Sequence, residues 1–177
     1  MKSDNYFQHD SGGLYHLSAG ALVYDNQGQI LLHVFSKNVE HNPFDSDIYT
    51  LIRETVEPNE PIEDAIHRGI KEETGSETEL VDYLGAITGK ARNFSSNVSF
   101  EKTTLYFAAR LTDWQPDQRD QHDEEIDSDL RWYEPEKLIP LIKEQREITG
   151  SDDLDESLIV ERFLDMEAFS NSNNTNP

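Results

Sequence analysis

The sequence predicts a single α/β domain, with a mixed sheet lying between helices. Three observations carry this expectation. Apolar runs at residues 18–24 and 30–35 flank the turn Asp25-Asn26-Gln27-Gly28, residues 61–74 form a helix marked at both ends, and strands outnumber the helices they alternate with. Two short apolar runs joined by a polar turn read as an antiparallel hairpin. Strands alternating with helices favour a sheet covered by helices over a sandwich or a bundle.

Each element follows in order. After the hairpin, a loop with Asn42-Pro43 leads to a short strand at 48–52. In the helix at 61–74, Pro61 suits the first position, Glu63 and Asp64 lie near the positive end, and Gly75 falls where a left-handed cap belongs. Strands are expected at 80–90, 102–111 and 130–133, with the acidic segment 117–129 as a loop between the last two. Helices are expected at 136–144 and 154–169, the second with Leu154, Leu158, Ile159, Phe163 and Met166 as its apolar positions. The domain therefore spans 16–169. Residues 1–15 carry no pattern and stay unassigned, and the polar run 170–177 reads as a disordered tail.

Composition narrows the function classes. The 177 residues include 36 acidic and 15 basic side chains, a net charge of −21. Such a field repels nucleic acid and anionic membranes, so neither is an expected partner. It also repels a free phosphorylated substrate unless divalent cations mask both. Most of this charge reads equally well as plain solubility. The absence of cysteine excludes disulfides, thiolate metal sites and a cysteine nucleophile. No apolar run approaches the roughly 20 residues needed to span a bilayer, and no signal peptide opens the chain, so a cytoplasmic location is expected.

The helix at 61–74 carries the chemistry. At about 100° per residue, Ala65, Ile66, Gly69 and Ile70 fall within about 80° of Ile62 and form a buried stripe. Glu73 lies on that stripe, about 20° from its centre, and Glu72 at its edge. A carboxylate on an apolar face is costly unless something compensates it. Either Glu73 stands in a last turn that has left the core, or Glu72 and Glu73 project together toward a divalent cation, which takes hard oxygen ligands. Arg68 and Glu72 also fit a solvated i,i+4 pair, and Glu60 fits a helix-start acid.

Residues 54–76 resemble the Nudix box: Gly, five residues, Glu, seven residues, then Arg-Glu-apolar-any-Glu-Glu-any-Gly-apolar. Glu60, Arg68, Ile70, Glu72, Glu73 and Gly75 match in register. The resemblance covers about 18–144 and implies a Nudix-type α/β/α sandwich. It further implies a pyrophosphohydrolase acting on a nucleoside diphosphate linked to another moiety, with Mg2+ or Mn2+ as cofactor and a small nucleotide-type substrate as partner. Carried over, it makes Glu72, Glu73 and Arg68 the catalytic group and Glu72, Glu73, Glu57 and Glu54 the metal ligands. Three positions depart from the pattern. Glu54 replaces the opening glycine and follows Arg53, where a second glycine is usual; Gly69 replaces the Glu after Arg; Ser76 replaces the last apolar residue. Gly69 removes one of three helix carboxylates and costs about 1 kcal/mol of helix propensity against alanine. Either something packs closely on it or the site has changed, and the Glu54 side chain is a candidate replacement ligand.

Downstream, Lys102-Thr103-Thr104-Leu105-Tyr106 and Arg131-Trp132-Tyr133 look like the asymmetric dinucleoside tetraphosphate branch. That likeness makes Lys102, Tyr106 and Arg92 substrate contacts, although Tyr106 and Trp132 also read as core. Glu124 and Glu125 stand where some relatives carry a further ligand or general base, or they are ordinary loop acids. No proline occurs between Ser76 and Pro116, against the ADP-ribose class. Two readings remain: an active hydrolase, or a catalytically silent Nudix-like domain that binds a nucleotide or a partner. An acidic calcium-binding protein is disfavoured, because no Asp-x-Asp-x-Asp-Gly loop is present.

Overall fold

The computed structural model of the protein describes residues 15–37, 42–93 and 98–174. The elements are β1 (Tyr15–Tyr24), β2 (Ile30–Phe35), β3 (Ile48–Thr50), β4 (Ile52–Thr55), α1 (Ile62–Thr74), β5 (Glu77–Asn93), β6 (Val98–Asp113), β7 (Asp129–Tyr133), α2 (Pro135–Thr149) and α3 (Ser157–Asn174). The strands form one mixed seven-stranded sheet, in which β1 pairs in parallel with β6 along its whole length, from Tyr15↔Glu101 to Tyr24↔Arg110.

With β6 on one edge of β1, the other edge is shared. Ser18–Ala21 face Thr55–Ile52 of antiparallel β4, while β2 meets β1 only at Tyr24↔Ile30. Beyond that contact β2 departs to pair with β3 and β7. The sheet therefore forks beside β4, and the fork brings the beginning of the box against α1.

Side chains alternate across the sheet and divide the core in two. Ala19, Ala21 and Val23 of β1, Leu31 of β2 and Ile52 of β4 pack with Ala65, Ile66 and Ile70 of α1. On the other face, Leu22, Tyr24, Ile30, Leu32, Leu51 and Tyr106 pack with Leu138, Ile142, Ile159, Val160 and Phe163 of α2 and α3. Gly20 lies between them on this second face, because a Cβ there would stand 2.6 Å from the Tyr106 ring.

The expected helix–sheet–helix order is present, with four adjustments. The strand expected at 48–52 breaks at Leu51 into β3 and β4. Its N–H leaves the ladder and donates to Glu156 Oε2 at 2.8 Å. Pro61 falls at the cap rather than inside the helix, while Gly75 takes the left-handed C-cap (φ 70°) as expected. The acidic segment is more ordered than a plain loop, holding two short 3-10 turns at Pro116–Gln118 and Glu124–Asp127. Finally, α3 continues to Asn174, past the start of the run read as a tail. A helix anchored by Ile159, Val160 and Phe163 gains one hydrogen bond for each residue it adds. Of the unassigned N-terminal segment, residues 1–14 lie outside the described residues and Tyr15 opens β1.

Candidate active site

Arg68 organises the site. Its guanidinium donates from Nε to Glu60 Oε1 at 2.9 Å and from Nη2 to Glu60 Oε2 at 3.0 Å, a two-pronged bond. Nη2 also donates to the Thr55 carbonyl at 2.9 Å, which fastens the loop before α1 to the end of β4. Nη1 reaches Glu54 Oε2 at 3.0 Å and Glu72 Oε2 at 3.4 Å. The i,i+4 partner is therefore the longest of its contacts, and Glu60 the principal one. The bond from Arg68 holds the Glu60 carboxyl below its usual range and raises the guanidinium in return.

Glu73 is 2% exposed, so the reading in which the last turn has left the core is corrected: the carboxylate is inside. Burial raises its pKa well above the ordinary value, and the charges of Glu125, Glu54 and Asp123 push the same way. Its Oε2 lies 2.8 Å from His33 Nε2, and His33 Nδ1 lies 2.6 Å from Ser128 Oγ. Burial, aided by Arg119 and Arg53, lowers the His33 pKa to about 3, so the ring is neutral. Ser128, His33 and Glu73 make a Ser–His–Glu chain, but not a nucleophilic one. The hydroxyl is buried and donates to the Glu125 carbonyl at 2.7 Å.

Gly69 explains the altered box. A Cβ at 69 would lie 2.6 Å from Glu54 Cβ, 3.1 Å from Glu54 Cγ and 3.3 Å from Glu73 Oε1. The β4 side chain therefore occupies the room a helix side chain at 69 would need. Burial raises the Glu54 pKa, and Glu72 adds to the rise; Arg68 and the Thr55 N–H, which donates at 2.6 Å, oppose it. Carboxylates crowded into one recess, with oxygen donors and no sulfur, suit a hard divalent cation such as Mg2+ or Mn2+. Among the described residues no three such side chains stand close enough to hold an ion as they are placed.

The other expected residues are placed differently. Glu57 is exposed at the turn, its main chain bonded to Glu60 in both directions. The expected substrate contact at Tyr106 is corrected: its side chain is fully buried and its hydroxyl donates to Glu156. Lys102 is half-buried on the Tyr106 side of the sheet, where burial and the Arg53 guanidinium lower its pKa to about 8. Glu125 is partly buried and its charge acts on Glu73. The side chains of Arg92 and Glu124 lie outside the described residues.

Sequence reasoning missed His33, Ser128, Arg119 and the role of Arg53. Arg53 reaches the carbonyl and Oδ2 of Asp153, both at 3.3 Å, and lies 3.8 Å from Glu156 Oε1, so it belongs to a buried ion cluster under α3. His33 did carry a signal, as the one polar residue within Ile30-Leu31-Leu32-His33-Val34.

A three-layer α/β fold whose first helix sets a Glu–Glu pair beside the opening strand of its box is the arrangement that the resemblance of residues 54–76 to the Nudix box implies. The NUDIX domain family model matches residues 14–151, and the chain belongs to the NUDIX family. Solved structures agree on the fold. The MutT protein of Methanosarcina mazei Go1 aligns at 20% identity and TM-score 0.54, over 86% of this chain and 95% of that one. A NUDIX hydrolase from Nitrosomonas europaea aligns at 13% identity and TM-score 0.56, over 84% and 87%. The E. coli ORF135 protein aligns at 19% identity and TM-score 0.52, over 87% and 91%. No curated protein sequence matches.

Proposed function

We propose that this protein is a divalent-metal-dependent pyrophosphohydrolase. It cleaves the pyrophosphate bond of a nucleoside diphosphate linked to another moiety, and Glu54 supplies the carboxylate that Gly69 does not. The single observation behind this reading is the 2.6 Å approach of Glu54 Cβ to the place of a Cβ on Gly69. The two departures from the box are one exchange, a carboxylate moved from helix to strand.

Glu54, Glu72 and Glu73 would hold Mg2+ or Mn2+. When bound, the cation neutralises charge on the diphosphate and makes a coordinated water more acidic. The protein's own share is placement and electrostatics. Arg68 keeps Glu54 and Glu72 together and ties both to Glu60. Glu125, whose field already reaches Glu73, is the candidate acceptor for the proton of the attacking water, with Glu124 beside it in the same turn. Lys102 and Arg92 are the proposed contacts for substrate phosphates.

A second reading is a silent domain that binds a nucleotide or a partner. It draws on the internal partners that each carboxylate has: Arg68 for Glu54 and Glu72, His33 for Glu73. A phosphate-release panel decides between them, using dinucleoside polyphosphates, ADP-ribose, nucleotide sugars and nucleoside triphosphates with Mg2+ and with Mn2+. Turnover that chelator abolishes supports the hydrolase. Nucleotide binding without turnover on any member supports the silent domain.

A further inference from the structure

His33 is polar where its strand calls for hydrocarbon. Ile30, Leu31, Leu32 and Val34 are all buried, and Leu31 faces the α1 cluster. Residue 33 follows Leu31 onto that face, 1% exposed, and meets Glu73 there. Both ring nitrogens are engaged, and their partners come from different parts of the fold. Nε2 holds the last turn of α1 through Glu73, and Nδ1 holds the end of the acidic segment through Ser128.

That segment is bonded as a unit. Arg119 donates from Nη1 to the Ser128 carbonyl at 3.0 Å and from Nη2 to the Glu125 carbonyl at 2.7 Å. The Ser128 hydroxyl also closes on the Glu125 carbonyl. The Asp120 N–H donates to the Glu72 carbonyl at 2.9 Å, a second tie to the same helix end. A buried chain of hydrogen bonds thus runs from the Glu73 carboxyl group, through a rigid ring, to the turn carrying Glu125.

We infer that His33 is a positioning residue. It aims the Glu73 carboxylate at Glu54 and, through Ser128, fixes the turn carrying Glu125 relative to that carboxylate. The inference rests on Glu73 being a metal ligand, as proposed above. The ring takes Oε2, which leaves Oε1 on the side of Gly69 and Glu54. The terminal torsion of a glutamate is otherwise broad, so a carboxylate without this bond spreads over orientations that no longer face Glu54. Partners behind metal ligands typically contribute about 10–100-fold in metal affinity.

The test is calorimetric Mn2+ titration of the full chain as wild type, His33→Leu, His33→Gln and Ser128→Ala, with amide hydrogen exchange over residues 119–128. Leu removes both contacts, Gln keeps a polar reach toward Glu73, and Ala at 128 cuts the ring's link to the turn, together with the hydroxyl's own bonds to the Glu125 carbonyl and Arg119, without touching Glu73. His33→Leu should weaken Mn2+ binding by about 10–100-fold, with partial recovery in His33→Gln. Ser128→Ala should weaken it severalfold and speed exchange across 119–128. Mn2+ affinities within about twofold of wild type in both His33→Leu and Ser128→Ala overturn the inference, whatever their melting temperatures. If His33→Leu does not fold, Ser128→Ala decides alone by the same criterion. A wild type that takes up no Mn2+ overturns the metal reading itself, and this inference with it.

Discussion

At the scale of single residues, Gly69 shows how contact overrides propensity. Replacing a mid-helix glycine with alanine ordinarily stabilises by about 1 kcal/mol. Here the new methyl would stand 2.6 Å from Glu54 Cβ, an atom fixed to the β4 backbone and unable to swing aside. Overpacking of this kind costs about 1–3 kcal/mol, so Gly69→Ala should lower stability in urea melts. Gly69→Ala made in the Glu54→Gly background should restore the ordinary gain. A stabilised single variant would contradict the packing described here. Glu73 gives the second prediction at this scale. Its folded pKa is raised, so the stability it contributes is complete below the usual carboxylate range and is lost as pH rises through the folded value. His33 acts oppositely, contributing above its ordinary value of 6.5 and losing that as pH falls toward about 3. The two effects have opposite signs, and comparison with Glu73→Gln, which keeps His33, isolates that of Glu73. In chelator, wild-type stability should therefore decline with rising pH relative to Glu73→Gln, which keeps the shape without the charge and should lose most turnover. A wild-type-minus-Gln difference that stays flat with pH would remove the buried proton from the account.

At the scale of elements, α3 and the β3–β4 break depend on each other. Glu156, fully buried just before α3, accepts from the Leu51 N–H at the break and from the Tyr106 hydroxyl, and lies beside Arg53. Burial raises its pKa, with Arg53 opposing. Removing its side chain leaves buried donors without partners at about 1–3 kcal/mol each. Glu156→Ala should thus be strongly destabilising by chemical denaturation, and Glu156→Gln much less so; equal losses would show that the hydrogen bonds are not what matters. None of this was legible from the sequence, because the contact joins residues about a hundred positions apart and α3 lies beyond the matched family region. What was legible was periodic or in register: the turn between β1 and β2, though not the departure of β2 from β1 after one pair, α1 with its Gly75 cap, the inner stripe on which Glu73 falls and the alternation of layers. The misses share a cause. The break at Leu51, the 3-10 turns of the acidic segment and the use of His33 are each set by a partner from another element, which no local pattern records.

At the scale of the whole molecule, the charge and the site make one argument. A net charge of −21 opposes the approach of a polyphosphate, and the same field draws cations to the protein surface, from which the site proposed at Glu54, Glu72 and Glu73 would take its metal. Among the described residues, no helix is long and apolar enough to cross a membrane. The fold is shared with NUDIX relatives at 13–20% identity, and the site proposed here takes from β4, at Glu54, the carboxylate that the box places on the helix at 69. That transfer is most directly tested by a double-mutant cycle on Mn2+ affinity, measured by calorimetry for wild type, Glu54→Gly, Gly69→Glu and the double exchange. Wild type should bind, both single variants should bind weakly, one for want of a carboxylate and the other from the clash of two side chains in one space, and the double exchange should regain affinity near wild type. Single variants that bind as wild type does, or a double exchange no better than the weaker single, would contradict the transfer.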